Sequence, residues 1–302
     1  MFCCLCFCGF AAGQPAVFVK VLTDKQTCFV GEPITTGFAL YADNASVSQI
    51  LKQPELKGFD KIELLGLQDS IVSRKIINGK KYDVHTLRKV LLFPQQAGLL
   101  HIDAMQVQTD MGMGEMKILS SDVVPVSVKP LPENNEPVGF SGLVGQFEMK
   151  ASIIPERFAV NEQARLMITI SGRGNFHQVP MPEIKWPQGF NHLESVQSTV
   201  YDKDTAGYGQ KTIIIPFEAA HAGTYNITIN GIPYFDTKEK RFVQLANLKL
   251  SVDVRDNKTP PPSPEKGKHW TKNDGLRIGV ALSLLILLSV FLFYKKAKAG
   301  ER

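Results

Sequence analysis

The chain has 302 residues, 44% of them hydrophobic and 21% charged, enough apolar content for one large core or two modest ones and too balanced for wholesale disorder. Its net charge of +5 is unevenly placed: residues 258–302 carry nine Lys or Arg against three acids, a net +6 that leaves the first 257 residues at −1. A nucleic-acid binder needs its positive charge on the folded part, so that class is excluded, and ordinary counts of 18 Pro and 24 Gly exclude collagen-like and low-complexity chains.

Residues 1–13 (MFCCLCFCGFAAG) form an apolar run ending in small residues, with Ala11 and Gly13 placed as the −3 and −1 positions of a signal-peptidase site. The run lacks a basic leading stretch, so it is read as a signal segment whose own start lies upstream. Cys3, Cys4, Cys6 and Cys8 would leave with it. Cys28 alone remains in the mature protein, which then has no internal disulfide and must be held by packing.

Strand-like alternation follows, punctuated by turn residues. Ile34, Thr36, Phe38 and Leu40 share a face; residues 70–77 and 80–93 flank Asn78-Gly79, a type I′ hairpin signal because both positions need φ > 0. Further along, Phe147, Met149, Ala151 and Ile153 alternate, as do Leu166, Ile168 and Ile170. Tyr225, Ile227 and Ile229 lead to a second Asn-Gly at Asn230-Gly231, and Leu248, Leu250, Val252 and Val254 point inward. An internal repeat divides this pattern: Val30-Gly31-Glu32 matches Val160-Asn161-Glu162 at an offset of 130, and Phe93 before Ala97-Gly98 matches Phe217 before Ala222-Gly223. Lys129-Pro130-Leu131-Pro132 opens a Pro-rich spacer between the units, and Thr259-Pro260-Pro261-Pro262 opens a second one.

Residues 278–294 carry no charge over about 25 Å of helix, close to a bilayer core of about 30 Å once Arg277, Lys295 and Lys296 snorkel. The Lys-rich end places the tail in the cytoplasm and all that precedes the helix outside. The expected fold class is all-β: a signal segment (1–13), an immunoglobulin-like β-sandwich (14–129), a Pro-rich linker (130–144), a second such sandwich (145–256), a juxtamembrane linker (257–276), one transmembrane helix (277–294) and a cytoplasmic tail (295–302).

Four segments carry a family resemblance. They are Val30-Gly31-Glu32-Pro33; Lys129-Pro130-Leu131-Pro132 followed by Phe140-Ser141-Gly142-Leu143-Val144-Gly145-Gln146-Phe147; Ile170-Ser171-Gly172-Arg173-Gly174-Asn175; and Tyr234-Phe235-Asp236. In order and spacing they resemble the BatD (aerotolerance operon) family over about residues 16–295, although only eight residues follow Tyr294, where longer members continue. The resemblance implies an extracytoplasmic protein of the bacterial cell envelope, anchored in the inner (cytoplasmic) membrane. It also implies a role in oxygen or stress tolerance, von Willebrand factor A-like membrane proteins as partners and, through them, a MoxR-type AAA+ ATPase. No cofactor is implied.

Chemistry-bearing patterns are sparse. None of the six histidines has a His or Cys at metal-ligand spacing, and His101 and Asp103 read as a solvated strand face. There is no Gly-x-Ser-x-Gly elbow and no Cys-x-x-Cys pair; Cys28 has only Lys25 as a nearby base. Asp202-Lys203-Asp204 lacks the glycine and distal glutamate of a calcium loop and reads as a hairpin tip. Trp186, among prolines, is either an exposed anchor or a cap on the core. The Gly172-Arg173-Gly174-Asn175 segment has two readings. One is a strand-to-loop transition capped by Asn175. The other is a partner-contact loop with Arg173, Asn175, Phe176 and His177 exposed at the sandwich end. The expectation is therefore a non-enzymatic interaction or scaffold protein without catalytic, metal or cofactor residues, with an adhesin or glycan-binding module as the alternative and a hydrolase behind it.

Overall fold

The computed structural model describes residues 17–43, 46–65, 71–112 and 114–256. The expected signal segment, juxtamembrane linker (257–276), transmembrane helix and tail lie outside them. Among the described residues the regular structure is strand plus a single 3-10 turn, and no helix is long and apolar enough to cross a membrane.

The first half runs β1 (Phe18–Thr23), β2 (Thr27–Phe29), β3 (Ile34–Ala42), β4 (Ser46–Lys52), β5 (Phe59–Leu65), β6 (Ile71–Ile77), β7 (Lys80–Pro94), β8 (Gly98–Ile102), β9 (Gln106–Asp110), β10 (Met116–Ser120) and β11 (Val124–Lys129). One sheet has the order β1-β3-β7-β5 with β6 also on β7; it faces β2-β11-β8, and a small β10-β9-β4 sheet completes the sandwich. Phe38, Leu40, Val90, Leu92, Ile102, Val107 and Val126 fill the core. Asn78 and Gly79 take φ of 50° and 79°, and Ile77 pairs with Lys80, the geometry their hairpin signal requires. Ile34, Thr36, Phe38 and Leu40 are buried together, but Ala39 and Tyr41 on the opposite face are buried as well.

The second half runs β12 (Val144–Ile154), β13 (Arg157–Ala159), β14 (Ala164–Gly174), the 3-10 turn (Phe176–Gln178), β15 (Ile184–Lys185), β16 (Phe190–His192), β17 (Val196–Tyr201), β18 (Tyr208–Ala219), β19 (Gly223–Ile229), β20 (Pro233–Asp236), β21 (Arg241–Gln244) and β22 (Leu248–Arg255). A β16-β18-β14-β12-β20-β21 sheet, with β17 also on β18, faces β13-β22-β19-β15. Leu166, Ile168, Ile170, Ile213, Ile215, Ile227 and Val252 meet between them. No strand of one half pairs with a strand of the other among the described residues, and each half encloses its own core, the arrangement of two immunoglobulin-like sandwiches.

The repeat extends to individual hydrogen bonds. Gly31 and Asn161 both take positive φ, 76° and 60°. Glu32 accepts from Phe29 N at 3.0 Å and Glu162 from Ala159 N at 2.7 Å. Val30 N donates to Lys129 O as Val160 N does to Arg255 O, and Gln95 N donates to Gly58 O as Ala220 N does to Gly189 O. The two sandwiches are thus one architecture used twice. The second Asn-Gly pair does not repeat the hairpin of the first: neither Asn230 nor Gly231 takes positive φ. The chain there leaves β19 in one sheet for β20 in the other, with Gly231 N donating to Asn247 Oδ1 at 2.7 Å. A turn that changes sheets has no use for the tight I′ geometry.

Candidate functional site at the joint between the sandwiches

The linker does more than space the sandwiches. Val138 stands wholly exposed, but two residues later Phe140 sets its ring edge on Phe242 of β21 at 5.0 Å, and Ser141 donates to Gln178 O at 2.8 Å. Asn175 then fixes its end. The amide is 2% exposed; Oδ1 accepts from Val144 N at 2.7 Å and Nδ2 donates to Gly142 O at 2.8 Å. Gly174 permits this approach, because a Cβ there would overlap the Phe147 ring and lie 2.7 Å from Val144 O.

The first sandwich docks on the same spot. Gly31, at φ 76°, leaves only 3.0 Å between its absent Cβ and Asn175 Nδ2, and 3.4 Å to Val144 Cγ2. Phe29 meets Phe235 edge-on at 4.9 Å, while Phe235 N donates to Leu143 O and Val144 pairs with Phe235 in register. All four segments that carry the family resemblance therefore meet at one joint.

A second set of contacts flanks it. Leu64, Leu91 and Phe93, on the face of β5 and β7 that points away from the first core, are covered by Tyr201 of β17. The His177 ring stands edge-on to Phe93 at 4.7 Å. Tyr201 accepts from Phe176 N at 2.9 Å, and burial pushes its phenol up to about 12. Burial also lowers His177, partly offset by Asp60 and reinforced by Lys211, so a neutral imidazole is favoured against Phe93. The Asp202-Lys203-Asp204 tip abuts the first sandwich, with Lys89 Nζ donating to Lys203 O and Gly207 lying against Pro33. Asp202 Oδ1 caps the tip by accepting from Asp204 N and Thr205 N, and these bonds hold its carboxyl low.

The expectation that Arg173, Asn175, Phe176 and His177 all stand exposed is corrected at two of them. Phe176 is a core residue, edge-on to Phe147 at 5.3 Å, and Asn175 is the buried clamp. An amide with both polar ends satisfied by backbone belongs inside. Arg173 and His177 keep exposed surface. Trp186 caps the core, 5.1 Å from Phe217 and stacked on His192 at 5.3 Å. Cys28 is buried in β2, and burial pushes its thiol up to about 12, an inert group. The contributions of Leu91, Phe93 and Tyr201 went unread in the sequence. The signal was there in Val90-Leu91-Leu92-Phe93: four consecutive apolar residues in an antiparallel strand require cover on both faces.

Between the sandwiches the joint leaves a cleft of about 250 Å³ lined by Lys25, Glu32, Pro33, Gly145, Gln146, Arg173, Thr237 and Lys238. Glu32 is engaged by Lys25 at 2.6 Å and by Phe29 N, which leaves Arg173 and Lys238 as excess positive charge. Such a cleft can receive a carboxylate or another anionic group, and Arg173 can do so with two parallel N–H donors. Among the described residues no group of three or more His, Cys, Asp or Glu is placed to hold a metal.

No model of a known protein family matches the chain, and no curated protein matches it. Among solved structures it is similar to the Yersinia pseudotuberculosis adhesin InvE (8% identity, 83% of this chain and 66% of that one, TM-score 0.19). It is also similar to the Escherichia coli adhesin FdeC (11%, 79% and 64%, TM-score 0.17) and the Enterococcus faecalis MSCRAMM ACE (13%, 79% and 95%, TM-score 0.19). The chain thus spans about two thirds of the InvE and FdeC structures. Identities and TM-scores this low transfer no function to this chain.

Proposed function

We propose that this chain is a membrane-tethered, extracytoplasmic recognition module that works by binding other envelope proteins at its inter-sandwich joint. The observation that carries this reading is the convergence of the four resemblance segments on one joint, where Arg173 and His177 remain accessible beside the clamp. Rigid sandwiches commonly present recognition groups in this way. The apolar segment 278–294 supplies the tether, and the resemblance supplies the partner class: von Willebrand factor A-like membrane proteins, with a MoxR-type AAA+ ATPase behind them.

The test is cross-linking in intact membranes with tagged full-length protein. Wild type should capture a von Willebrand factor A-like protein, and Arg173→Glu should reduce that capture at least tenfold while the protein's thermal unfolding is unchanged. Capture of no such protein removes the reading. The adhesin alternative would then take its place, scored by adherence of the full chain to surfaces and sugar arrays.

A further inference from the structure

A second cavity, of about 360 Å³, lies between the outer face of the first sandwich and the tip that joins β17 to β18, and it shares no lining residue with the joint cleft. Strand register sets its floor. Leu22 of β1 and Lys89 of β7 flank Gly37 of β3, in a row that faces away from the core entered by Phe38. No local geometry calls for glycine there. Gly37 does not take positive φ, and a Cβ would meet its nearest neighbours at 3.9–4.0 Å, an ordinary contact. The adjacent bulge puts its extra residue, Leu87, in β7 rather than in β3. Glycine weakens a strand interior, and one kept without such a reason marks a place where a ligand comes close.

Donors and acceptors surround that floor. Thr35, 8% exposed, lines the cavity with its Oγ1 paired to no group, and a buried hydroxyl without a partner is a cost that a ligand removes. Asp24 accepts from Thr35 N at 2.9 Å. Asp204 ties only its backbone N–H, to Asp202 Oδ1, and keeps its carboxylate free. Lys89 Nζ gives one donor to Lys203 O and has two left. Leu22, Gly37 and Ala206 supply an apolar strip. An anion would meet two carboxylates here, and an ammonium group would meet Lys89. A hydroxyl group both donates and accepts, so it suits all of these side chains. We propose that this cavity binds a neutral saccharide. Its ring hydroxyls donate to Asp24 and Asp204 and accept from Lys89 and Thr35, while its C–H face lies on Leu22 and Gly37. The bound sugar touches both sandwiches, at a site separate from the partner contact at Arg173.

The test applies full-length protein, in a detergent without a sugar headgroup, to an array of neutral oligosaccharides ending in glucose, galactose, mannose or N-acetylglucosamine. Titration calorimetry then measures each sugar that is retained. Wild type should bind at least one. Gly37→Val, which puts a side chain into the cavity, should weaken that binding at least tenfold while its urea midpoint stays at or above that of wild type. Asp204→Asn, on the exposed tip, should weaken it at least tenfold with circular dichroism unchanged. Arg173→Glu should bind the sugar as wild type does, so that this site and the partner contact fail separately. An array that retains nothing, a sugar that both cavity variants still hold, or a sugar lost with Arg173→Glu would overturn the inference.

Discussion

Replacing Asn175 with Ala removes the clamp between the linker and the second sandwich. Val144 N–H, buried, then has no acceptor within the side chain's reach, which costs about 1–3 kcal/mol. Gly142 O loses a bond worth about 1 kcal/mol but is exposed enough to take up water in exchange. The expected loss is about 2–4 kcal/mol. With a urea slope of about 3 kcal/mol per molar, the unfolding midpoint falls by about 1 M. Protease cleavage within 130–141 should quicken in native buffer, because the linker end is no longer pinned. Gln197→Ala, at an exposed strand position, serves as the control and should leave the midpoint within about 0.2 M. An Asn175→Ala midpoint that coincides with this control would refute the claim that the amide holds the joint.

Two further outcomes follow from the same packing. Gly174→Ala, which drives a methyl into Phe147, should destabilise by about 3 kcal/mol or more, whereas Gly79→Ala, with open space at the hairpin tip, should cost only the positive-φ penalty of about 1–2 kcal/mol; urea unfolding of both ranks them. Cys28, raised from 9.0 to about 12 in the folded state, contributes stability that is complete below pH 9 and drains away as pH climbs toward 12. Cys28→Ala should flatten that alkaline loss in midpoint-versus-pH curves, although Tyr201, also near 12, keeps part of it.

Much of the fold was legible in the alternation of side chains, because a strand's period of two exposes its buried face directly. The Asn78-Gly79 hairpin followed from backbone sterics alone, and the matched Val30-Gly31-Glu32 and Val160-Asn161-Glu162 turns announced an architecture used twice. Asn230-Gly231 carried the same local chemistry as the first pair and met a different fate, since the pairing partners of β20 lie in the other sheet. Local preference offers a turn; only long-range pairing chooses whether to use it.

The candidate site divides along the same line. From its residues alone the chain specified two sandwiches, an uncharged stretch near the carboxyl end and four short segments whose order resembles one family. Their meeting in space was a tertiary decision. Asn175 is buried because Val144 and Gly142 arrive to satisfy it, and Phe93 faces outward from its own core because Tyr201 and His177 arrive to cover it. A polar or aromatic side chain carries no record in the sequence of which distant backbone will complete it, so its burial depends on the docking of two separately cored units.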